Sequence, residues 1–200
     1  MALFGLTRSF NPEPLVRGDG LYLRPATPAD YLSWSRLRAS SRTFLEPWEP
    51  TWPEDDLTQS AFRRRLRRQD EEISRDEAYA FLIFDQTSDQ LLGGITLGAV
   101  RRGVSQTGTL GYWMGAPHAG KGRMTRAVAA IVEFAFLKLR LHRVEAACIP
   151  NNAPSIAVLE RNSFQREGYA RGYLKINGAW RDHLLFGRIA GDSSGQRTAS

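Results

Sequence analysis

The alternation of hydrophobic and polar residues divides the first part of the chain into a short strand and two helices. Residues 21–25 alternate and end at a proline, which is typical of a short strand. Thr27 and the proline after it predict a helix start, and that helix runs to about residue 40. Residues 44–50 hold two prolines among aromatic and acidic residues, which predicts an ordered loop. A second, amphipathic helix is predicted from about residue 56 to residue 75.

From residue 78 onward the period changes, and the pattern predicts an antiparallel meander, a long helix, a strand, a short helix and a closing hairpin. The predicted bounds are 78–85, 91–100 and 107–114 for the meander, 120–139 for the long helix, 144–149 for the strand, 154–161 for the short helix, and 164–176 with 180–189 for the hairpin. Neither a repeat nor a domain boundary is visible. We therefore expect one domain over residues 1–190 and a frayed polar tail at 191–200.

Composition changes this picture little. Of 200 residues, 42% are hydrophobic and 24% charged, as in ordinary globular proteins. The single cysteine, Cys148, cannot form an intramolecular disulfide, which indicates a reducing compartment. No stretch reaches the roughly 18 apolar residues of a membrane helix, and residues 1–14 lack the apolar core of a signal peptide. We therefore expect a cytoplasmic protein with no membrane partner.

The net charge of +6 favours an anionic partner. The phosphates of a cofactor, an RNA and an acidic peptide all satisfy that condition, so charge alone does not choose among them.

The most informative stretch, residues 111–125, joins the meander to the long helix. Its glycines allow the main chain to approach a ligand closely, and the first amides of a helix have no partner inside the helix. Together with the helix dipole, these amides predict a pyrophosphate site. Three basic residues can add charge around it: Lys121, Arg123 and Arg126.

This stretch has two interpretations other than a pyrophosphate site of a non-nucleotide ligand. The segment GAPHAGK at 115–121 matches most of the nucleotide P-loop pattern, but Gly122 replaces the hydroxyl residue that holds magnesium. The antiparallel meander before it also differs from the parallel β-α units of P-loop proteins. A glycine-marked helix start without any ligand is the second alternative. The pattern favours a ligand, and it argues against a nucleotide.

The segment AGKGRM at 119–124 resembles the acetyl-CoA loop of the GNAT superfamily, Q/R-x-x-G-x-G/A, with departures at its first and last positions. NAPS at 152–155, followed by VLERNSF at 158–164, resembles the GNAT segment N-x-x-S-x-x-x-x-E-x-x-G-F, with Ser163 in the place of the glycine. FLEPWEP at 44–50 and GAWRDH at 178–183 are narrower, and they resemble RimJ-type ribosomal-protein-alanine N-acetyltransferases.

This resemblance implies an α+β fold with a mixed, mostly antiparallel sheet, splayed central strands and flanking helices. It also implies that acetyl-CoA lies in the splay, while a protein N-terminus, the alanine of a ribosomal protein, enters from the opposite side. The cofactor-binding residues implied by the matching positions are Trp113, Met114, Ala119, Gly120, Lys121, Gly122, Arg123, Met124, Thr125, Asn152 and Ser155. Helix capping is an alternative role for Asn152 and Ser155.

Acetyl transfer to an amine needs a neutral amine, a polarised carbonyl and a proton for the leaving thiolate. An α-amino group has a pKa of about 7.7–8.0, so a modest base suffices near pH 7. By the resemblance, a main-chain amide at the end of the strand 107–114 polarises the carbonyl. Ser155 supplies the proton, with Tyr169 and Tyr173 in reserve. A related branch has a base glutamate in the closing hairpin, where this chain has Leu174.

The loop at 44–50 supplies most candidates for contact with the acceptor. Glu46 and Glu49 flank Trp48, and we expect them to pair with an ammonium group or to act as a water-linked base. Plain surface charge is the alternative for both. The candidate acceptor-binding residues are Trp48, Glu46, Glu49 and Tyr173.

The remaining polar candidates are given structural roles. Asp182 and His183 occupy successive strand positions and so face opposite sides, which predicts a structural hydrogen bond for each. His118 and His142 show no metal-ligand spacing, and no metal is expected.

The basic run at 63–68 lies on the second predicted helix and is followed by three acidic residues. This arrangement favours a solvated face with internal ion pairs over a contact with RNA or a ribosomal particle. The sequence does not decide whether the chain forms a homodimer. Three other functions are compatible with the sequence: acetylation of a small amine such as an antibiotic or polyamine, RNA binding by a ribosome-assembly factor, and magnesium-dependent nucleotide chemistry.

Overall fold

Eight strands form one mixed sheet in the computed structural model, which describes residues 15–192. The strands are β1 (Val16–Gly18), β2 (Leu21–Arg24), β3 (Tyr79–Asp85), β4 (Leu91–Arg101), β5 (Thr107–Met114), β6 (Arg143–Cys148), β7 (Gln165–Ile176) and β8 (Ala179–Ile189). Their order in the sheet is β1-β2-β3-β4-β5-β6-β8-β7. Within the described residues, β5 and β6 are the parallel neighbours, and the other neighbouring pairs are antiparallel.

The helices lie on both faces of this sheet. They are α1 (Tyr31–Ser40), α2 (Arg42–Leu45), α3 (Gln59–Ser74), α4 (Arg123–Glu133) and α5 (Ala153–Arg161), with 3-10 turns at Pro28–Asp30, Glu46–Trp48 and Ala116–His118 and a π-helical segment at Phe134–Lys138. The mixed, mostly antiparallel sheet with flanking helices that the sequence predicts is confirmed.

Strand β3 shows why the sheet needs helices on both sides. Its side chains alternate between two cores: Phe81 and Ile83 join the α4 side, while Leu82 and Phe84 join the side of α1 and α3. On the second side, the rings of Trp34 and Phe62 lie 4.9 Å apart. Burying a large apolar side chain contributes roughly 1.5–3 kcal/mol. Since helices cover both faces of the sheet, side chains on both faces of β3 can gain this energy, which explains the uninterrupted apolar run of the strand.

The sheet opens between its two central strands. Pairing of β5 with β6 begins at Thr107 with Arg143 and stops at Leu110 with Ala146. Beyond that point, β5 continues to pair with β4 as far as Met114, while β6 continues to pair with β8 as far as Cys148. The two halves of the sheet therefore part at the end where α4 and α5 begin, as the resemblance implied.

Residues 44–48 are helical, so the loop predicted over 44–50 is wrong for that part of the segment. Helix α2 ends at Leu45 and a 3-10 turn follows at once, with Pro47 in its first positions. Proline is tolerated there because the first amides of a helix have no partner inside the helix. Pro47 therefore favours the start of this 3-10 turn and does not prevent it.

The long helix predicted over 120–139 is shorter and is not uniform. It begins at Arg123, because Gly120 and Gly122 adopt φ angles of +73° and +68° that regular helix cannot contain. At Phe134 the α-helical pattern gives way to a π-helical turn.

Two further differences concern the ends of the chain. Strand β1 was not predicted, since three residues are too few to show a period. From residue 193 onward, the tail expected at 191–200 lies outside the described residues.

Candidate functional site

A cavity of about 580 Å³ occupies the gap between the parted strands. The unpaired ends of β5 and β6 form its walls, the glycine loop before α4 forms one end, and the start of α5 closes one side. At the other end lie the loop after α2 and the β7–β8 hairpin.

The glycine loop forms a main-chain cradle at one end of the cavity. Gly122 is the N-cap of α4, and its carbonyl accepts the first helical hydrogen bond, from the Arg126 amide at 3.2 Å. The amides before Arg126 in this turn are therefore not used inside the helix. Among the described residues, no atom outside the glycine and its two chain neighbours lies within 4 Å of the place where a Cβ would stand on Gly120 or Gly122. This open space and the helix N-terminus fit a diphosphate group.

The basic residues around the cradle are largely held by other partners. Lys121 Nζ donates to the Pro117 carbonyl at 3.0 Å, and Arg126 lies 3.7 Å from Asp19. Arg123 donates to His118 Nδ1 at 3.1 Å and to Asp85 at 3.2 Å. Main-chain amides, more than cationic side chains, therefore face the open space.

Arg161, at the end of α5, also lines this part of the cavity, although the sequence did not point to it. Asn162 beside it donates to the carbonyls of Thr125 and Val158, at 3.1 and 2.9 Å. These bonds fix the C-terminus of α5 against the first turn of α4, so Arg161 is held near the cradle.

His118 is buried and lines the cavity beside the cradle. Burial, with the positive charges of Arg123 and Lys121, lowers its pKa, so the imidazole is neutral at pH 7. Because Nδ1 accepts from Arg123, the ring proton is on Nε2. Nε2 of His118 is thus a hydrogen-bond donor.

Ser155, in the first turn of α5, lines the cavity. Asn152 caps that turn by accepting from the Ser155 amide at 3.2 Å, so Asn152 does have the capping role. The Ser155 hydroxyl lies 2.8 Å from the hydroxyl of Tyr112 on β5. Burial raises the Tyr112 pKa to about 12, which keeps this phenol protonated at neutral pH. The pair forms a short chain of hydroxyl donors.

Cys148, at the end of β6, lines the same central part of the cavity. Burial raises the pKa of its thiol to about 11, although the nearby Ser155 hydroxyl opposes this rise. The thiol is therefore protonated at neutral pH and is a poor nucleophile.

The far end of the cavity is mostly apolar. Its lining there comes from two elements, namely Phe44, Leu45, Trp48, Glu49 and Pro50 of the α2 region and Leu174, Ile176 and His183 of the hairpin. The Asn177 amide at the hairpin turn donates to the Glu49 carbonyl at 2.9 Å. This contact ties the two elements together across the mouth.

The carboxylate of Glu49 is fully engaged by the protein. It accepts two bonds from the buried Arg38 guanidinium, at 2.7 and 2.8 Å, and one from Trp52 Nε1 at 2.7 Å. The Arg38 guanidinium lies over the ring of Trp52, 4.0 Å from its centroid, and 4.9 Å from that of Trp113. Glu49 therefore anchors the loop, and its charge is already balanced.

Two other candidates from the sequence do not line the cavity. Glu46 points outward and pairs with Arg42 at 2.7 Å, with both side chains exposed. Tyr173 is 48% exposed, and its ring packs edge-on against His183 at 5.7 Å. Asp182 accepts from Tyr169 and from the Gly172 amide, as the structural role predicted for it requires.

The basic run on α3 is partly neutralised by nearby acids. Salt bridges join Arg64 to Asp55 at 2.5 Å, Arg65 to Asp56 at 2.7 Å and Arg68 to Glu72 at 3.6 Å. These internal pairs are those of a solvated helix face. A contact with RNA stays the untested alternative.

The structure thus brings together most of the residues that the sequence singled out for the cofactor. Those lining the cavity are Trp113, Met114, Ala119, Gly120, Gly122, Arg123, Met124, Thr125, Asn152 and Ser155, whereas Lys121 does not line it. Sequence reasoning missed the side chains of Tyr112, His118, Cys148 and His183. A signal existed for Tyr112 and His118, since both lie in the glycine-bearing stretch at 111–125; Cys148 and His183 become relevant only through packing.

Two kinds of feature are absent from the part of the chain that the structure describes. No three or more His, Cys, Asp or Glu side chains there are grouped to hold a metal ion. No helix in residues 15–192 is long and apolar enough to cross a bilayer.

Comparison with known proteins agrees with this geometry. The family model for the acetyltransferase (GNAT) domain matches residues 20–165. The chain is 38% identical to "Probable N-acetyltransferase YjcK" of Bacillus subtilis over 86% of this chain and 94% of that protein. It is 34% identical to the [ribosomal protein uS5]-alanine N-acetyltransferase of Escherichia coli, over 92% and 94%. The solved structure of Mycobacterium smegmatis RimJ in complex with CoA-disulfide is 32% identical, with a TM-score of 0.82 over 88% of this chain and 86% of that one.

Proposed function

This chain belongs to the GNAT family of acetyltransferases, and from that premise we propose that it acetylates the α-amino group of a protein N-terminus, an alanine of a ribosomal protein, with acetyl-CoA as donor. The observation that carries the proposal is the cavity between β5 and β6, which runs from a main-chain phosphate cradle to an apolar mouth. Relatives that bind CoA or act on ribosomal-protein alanine support the donor and the acceptor.

The cofactor end of the proposal rests on the cradle. The amides around Gly122 would hold the diphosphate, with Arg161 and the Nε2 proton of His118 beside it. When bound, acetyl-CoA supplies a thioester carbonyl and a thiolate leaving group. The edge of β5 that faces away from β4 offers main-chain amides to polarise the carbonyl.

Ser155 is the proposed proton donor to the thiolate. Its hydroxyl lines the cavity, and Tyr112 stands 2.8 Å behind it with a proton that it keeps at neutral pH. Tyr112 therefore resupplies Ser155. Tyr169 and Tyr173, the reserve candidates for protonating the thiolate, are both outside the cavity lining.

Replacing Ser155 by alanine should lower kcat about 100-fold, the scale of a lost proton donor. The Asn152 cap bonds to the Ser155 main chain, so the helix start and the KM for acetyl-CoA should change little. Steady-state kinetics measure both values. Ser40→Ala on the exposed face of α1 is the matched control. An unchanged kcat in Ser155→Ala would remove Ser155 from the mechanism.

The apolar mouth supports a terminal alanine more than a polycation. Glu49 is the acidic side chain among the lining residues, and Arg38 already balances its charge. A polyamine would therefore meet no free carboxylate of the described residues in the lining. A peptide that begins with alanine would place a small apolar side chain against this apolar lining. Its terminal amine would be the one polar group of that residue's side of the contact that needs a hydrogen-bond partner.

The acceptor is tested by release of free thiol from acetyl-CoA. The substrates are peptides beginning with Ala, Ser or Met, the Ala peptide with a blocked N-terminus and an internal lysine, and the polyamine spermidine. We expect turnover to be fastest with the free Ala terminus, with the acetyl group located on its α-nitrogen by mass spectrometry. Turnover of spermidine alone would refute the peptide assignment while leaving acetyl transfer in place.

A further inference from the structure

We propose that His183 is the group that accepts the proton from the acceptor amine. The inference rests on the proposed acetyl transfer to an amine, and it assigns the base that the sequence left unidentified. It holds for a peptide or a small-molecule acceptor alike, because either amine must lose a proton.

His183 stands at the acceptor end of the cavity, on β8. It is only 3% exposed, yet it lines the cavity, as do Leu174 and Ile176 of the same hairpin. The register places it one residue beyond the pairing of Leu184 with Cys148, at the end of β6. It therefore lies where the acceptor end meets the wall that carries the central groups.

The hydrogen bonds of the ring decide which nitrogen is free. Nδ1 lies 3.0 Å from the carbonyl oxygen of Arg181. A carbonyl can only accept, so Nδ1 carries a proton, and in the neutral ring the lone pair is on Nε2. Tyr173 packs edge-on against the ring and holds it in this orientation. The nitrogen turned away from the main chain is thus a proton acceptor.

The other titratable groups of the lining are unsuited to this task. The Glu49 carboxylate is occupied by Arg38 and Trp52. Tyr112 and Cys148 have pKa values of about 12 and 11, so both are already protonated. His118 lies at the cradle end, and its Nδ1 is occupied by Arg123. The arginines of the lining do not deprotonate.

The proton balance closes with these residues. As the amine nitrogen bonds to the acetyl carbon, His183 Nε2 takes the proton that the nitrogen loses. The carbon–sulfur bond breaks, and Ser155 gives its hydroxyl proton to the sulfur. Tyr112 and then solvent restore Ser155, while the His183 imidazolium returns its proton to solvent. The products are an amide and a thiol, with no further reactant.

The test is chemical rescue of His183→Ala, assayed with any amine that the wild-type protein acetylates. We expect kcat to fall about 100-fold, the low end for a lost general base, because an α-amino group is already partly neutral. Added imidazole should restore part of the rate. Among substituted imidazoles of similar size, the restored rate should rise with the pKa of the imidazole. If imidazole only filled the cavity left by the missing side chain, the restored rate would not depend on the pKa of the imidazole.

The controls separate a chemical role from a structural one. His142→Ala removes an exposed histidine at the start of β6 and should keep the wild-type rate. CoA affinity and circular dichroism should be unchanged in His183→Ala; if that variant does not fold, His183→Gln takes its place. Nitrogen-15 NMR of the wild-type protein without turnover should show His183 protonated at Nδ1 and His118 at Nε2. The proposal would be overturned if imidazole did not restore activity, or if the restored rate did not depend on the pKa of the imidazole. It would also be overturned if NMR showed the His183 proton on Nε2. A failed peptide assignment alone would not.

Discussion

Replacing Gly122 by glutamate should weaken acetyl-CoA binding by about 1,000-fold or more. Gly122 has a φ of +68°, and the space above it is open, where the diphosphate would lie. A glutamate would place bulk and a negative charge against that group, at the helix terminus that otherwise attracts anions. It would also adopt a left-handed φ that disfavours side chains. Isothermal titration calorimetry with CoA measures the loss.

A matched series separates charge from strain. Gly122→Ala carries the backbone strain without the charge, and we expect it to bind CoA with about a tenfold loss at most, from about 1 kcal/mol of left-handed strain. Gly103→Glu introduces the same residue at another glycine of positive φ, 65°, with open space around it in the turn after β4. That variant should bind CoA as the wild-type protein does. If Gly122→Glu bound CoA with the same affinity as the wild-type protein, the loop around Gly122 would not be part of the cofactor site.

Replacing Glu49 by alanine should lower the free energy of unfolding by about 3–5 kcal/mol. The Arg38 guanidinium is buried between Trp52 and Trp113, and Glu49 supplies its two closest carboxylate contacts. Removing that carboxylate leaves a buried charge, with Asp56 4.0 Å away as the nearest other acid that pairs with it. For a domain of this size, the midpoint of thermal unfolding should fall by about 10 °C.

The natural control is the neighbouring acid of the same loop. Glu46 pairs with Arg42 on the surface, so Glu46→Ala should change the free energy of unfolding by no more than about 0.5 kcal/mol. Glu49→Gln keeps the shape of the side chain and should fall between the two. If Glu49→Ala unfolds at the wild-type temperature but loses activity, Glu49 acts on the substrate and not on the loop.

Much of the fold follows from local patterns in the sequence. The apolar run of β3 and the glycines before α4 act within a few residues, so the sequence alone located these elements. The same holds for the capped start of α5, where Asn152 and Ser155 are three residues apart. The resemblance carried by the glycine loop, the segment that begins at Asn152 and the segments at 44–50 and 178–183 was enough to identify the family.

The type and the bounds of an element were less predictable where a proline or a glycine opposed the pattern around it. Residues 46–48 read as a loop because of Pro47, yet they form a 3-10 turn. The helix predicted from residue 120 starts three residues later, because the glycines needed for the cradle are incompatible with helical φ angles there.

The chemistry of the site was decided by the tertiary structure. Tyr112 and Ser155 are 43 residues apart in the chain and meet only because β5 and α5 line the same cavity. Glu46 and Glu49 look equivalent in sequence, but only Glu49 reaches the buried Arg38. The sequence by itself determined most of the elements, the glycine loop before α4 and the family, since these depend on neighbouring residues. Only packing between distant segments decided which side chains face the cavity, and hence the roles proposed for Tyr112, Glu49 and His183.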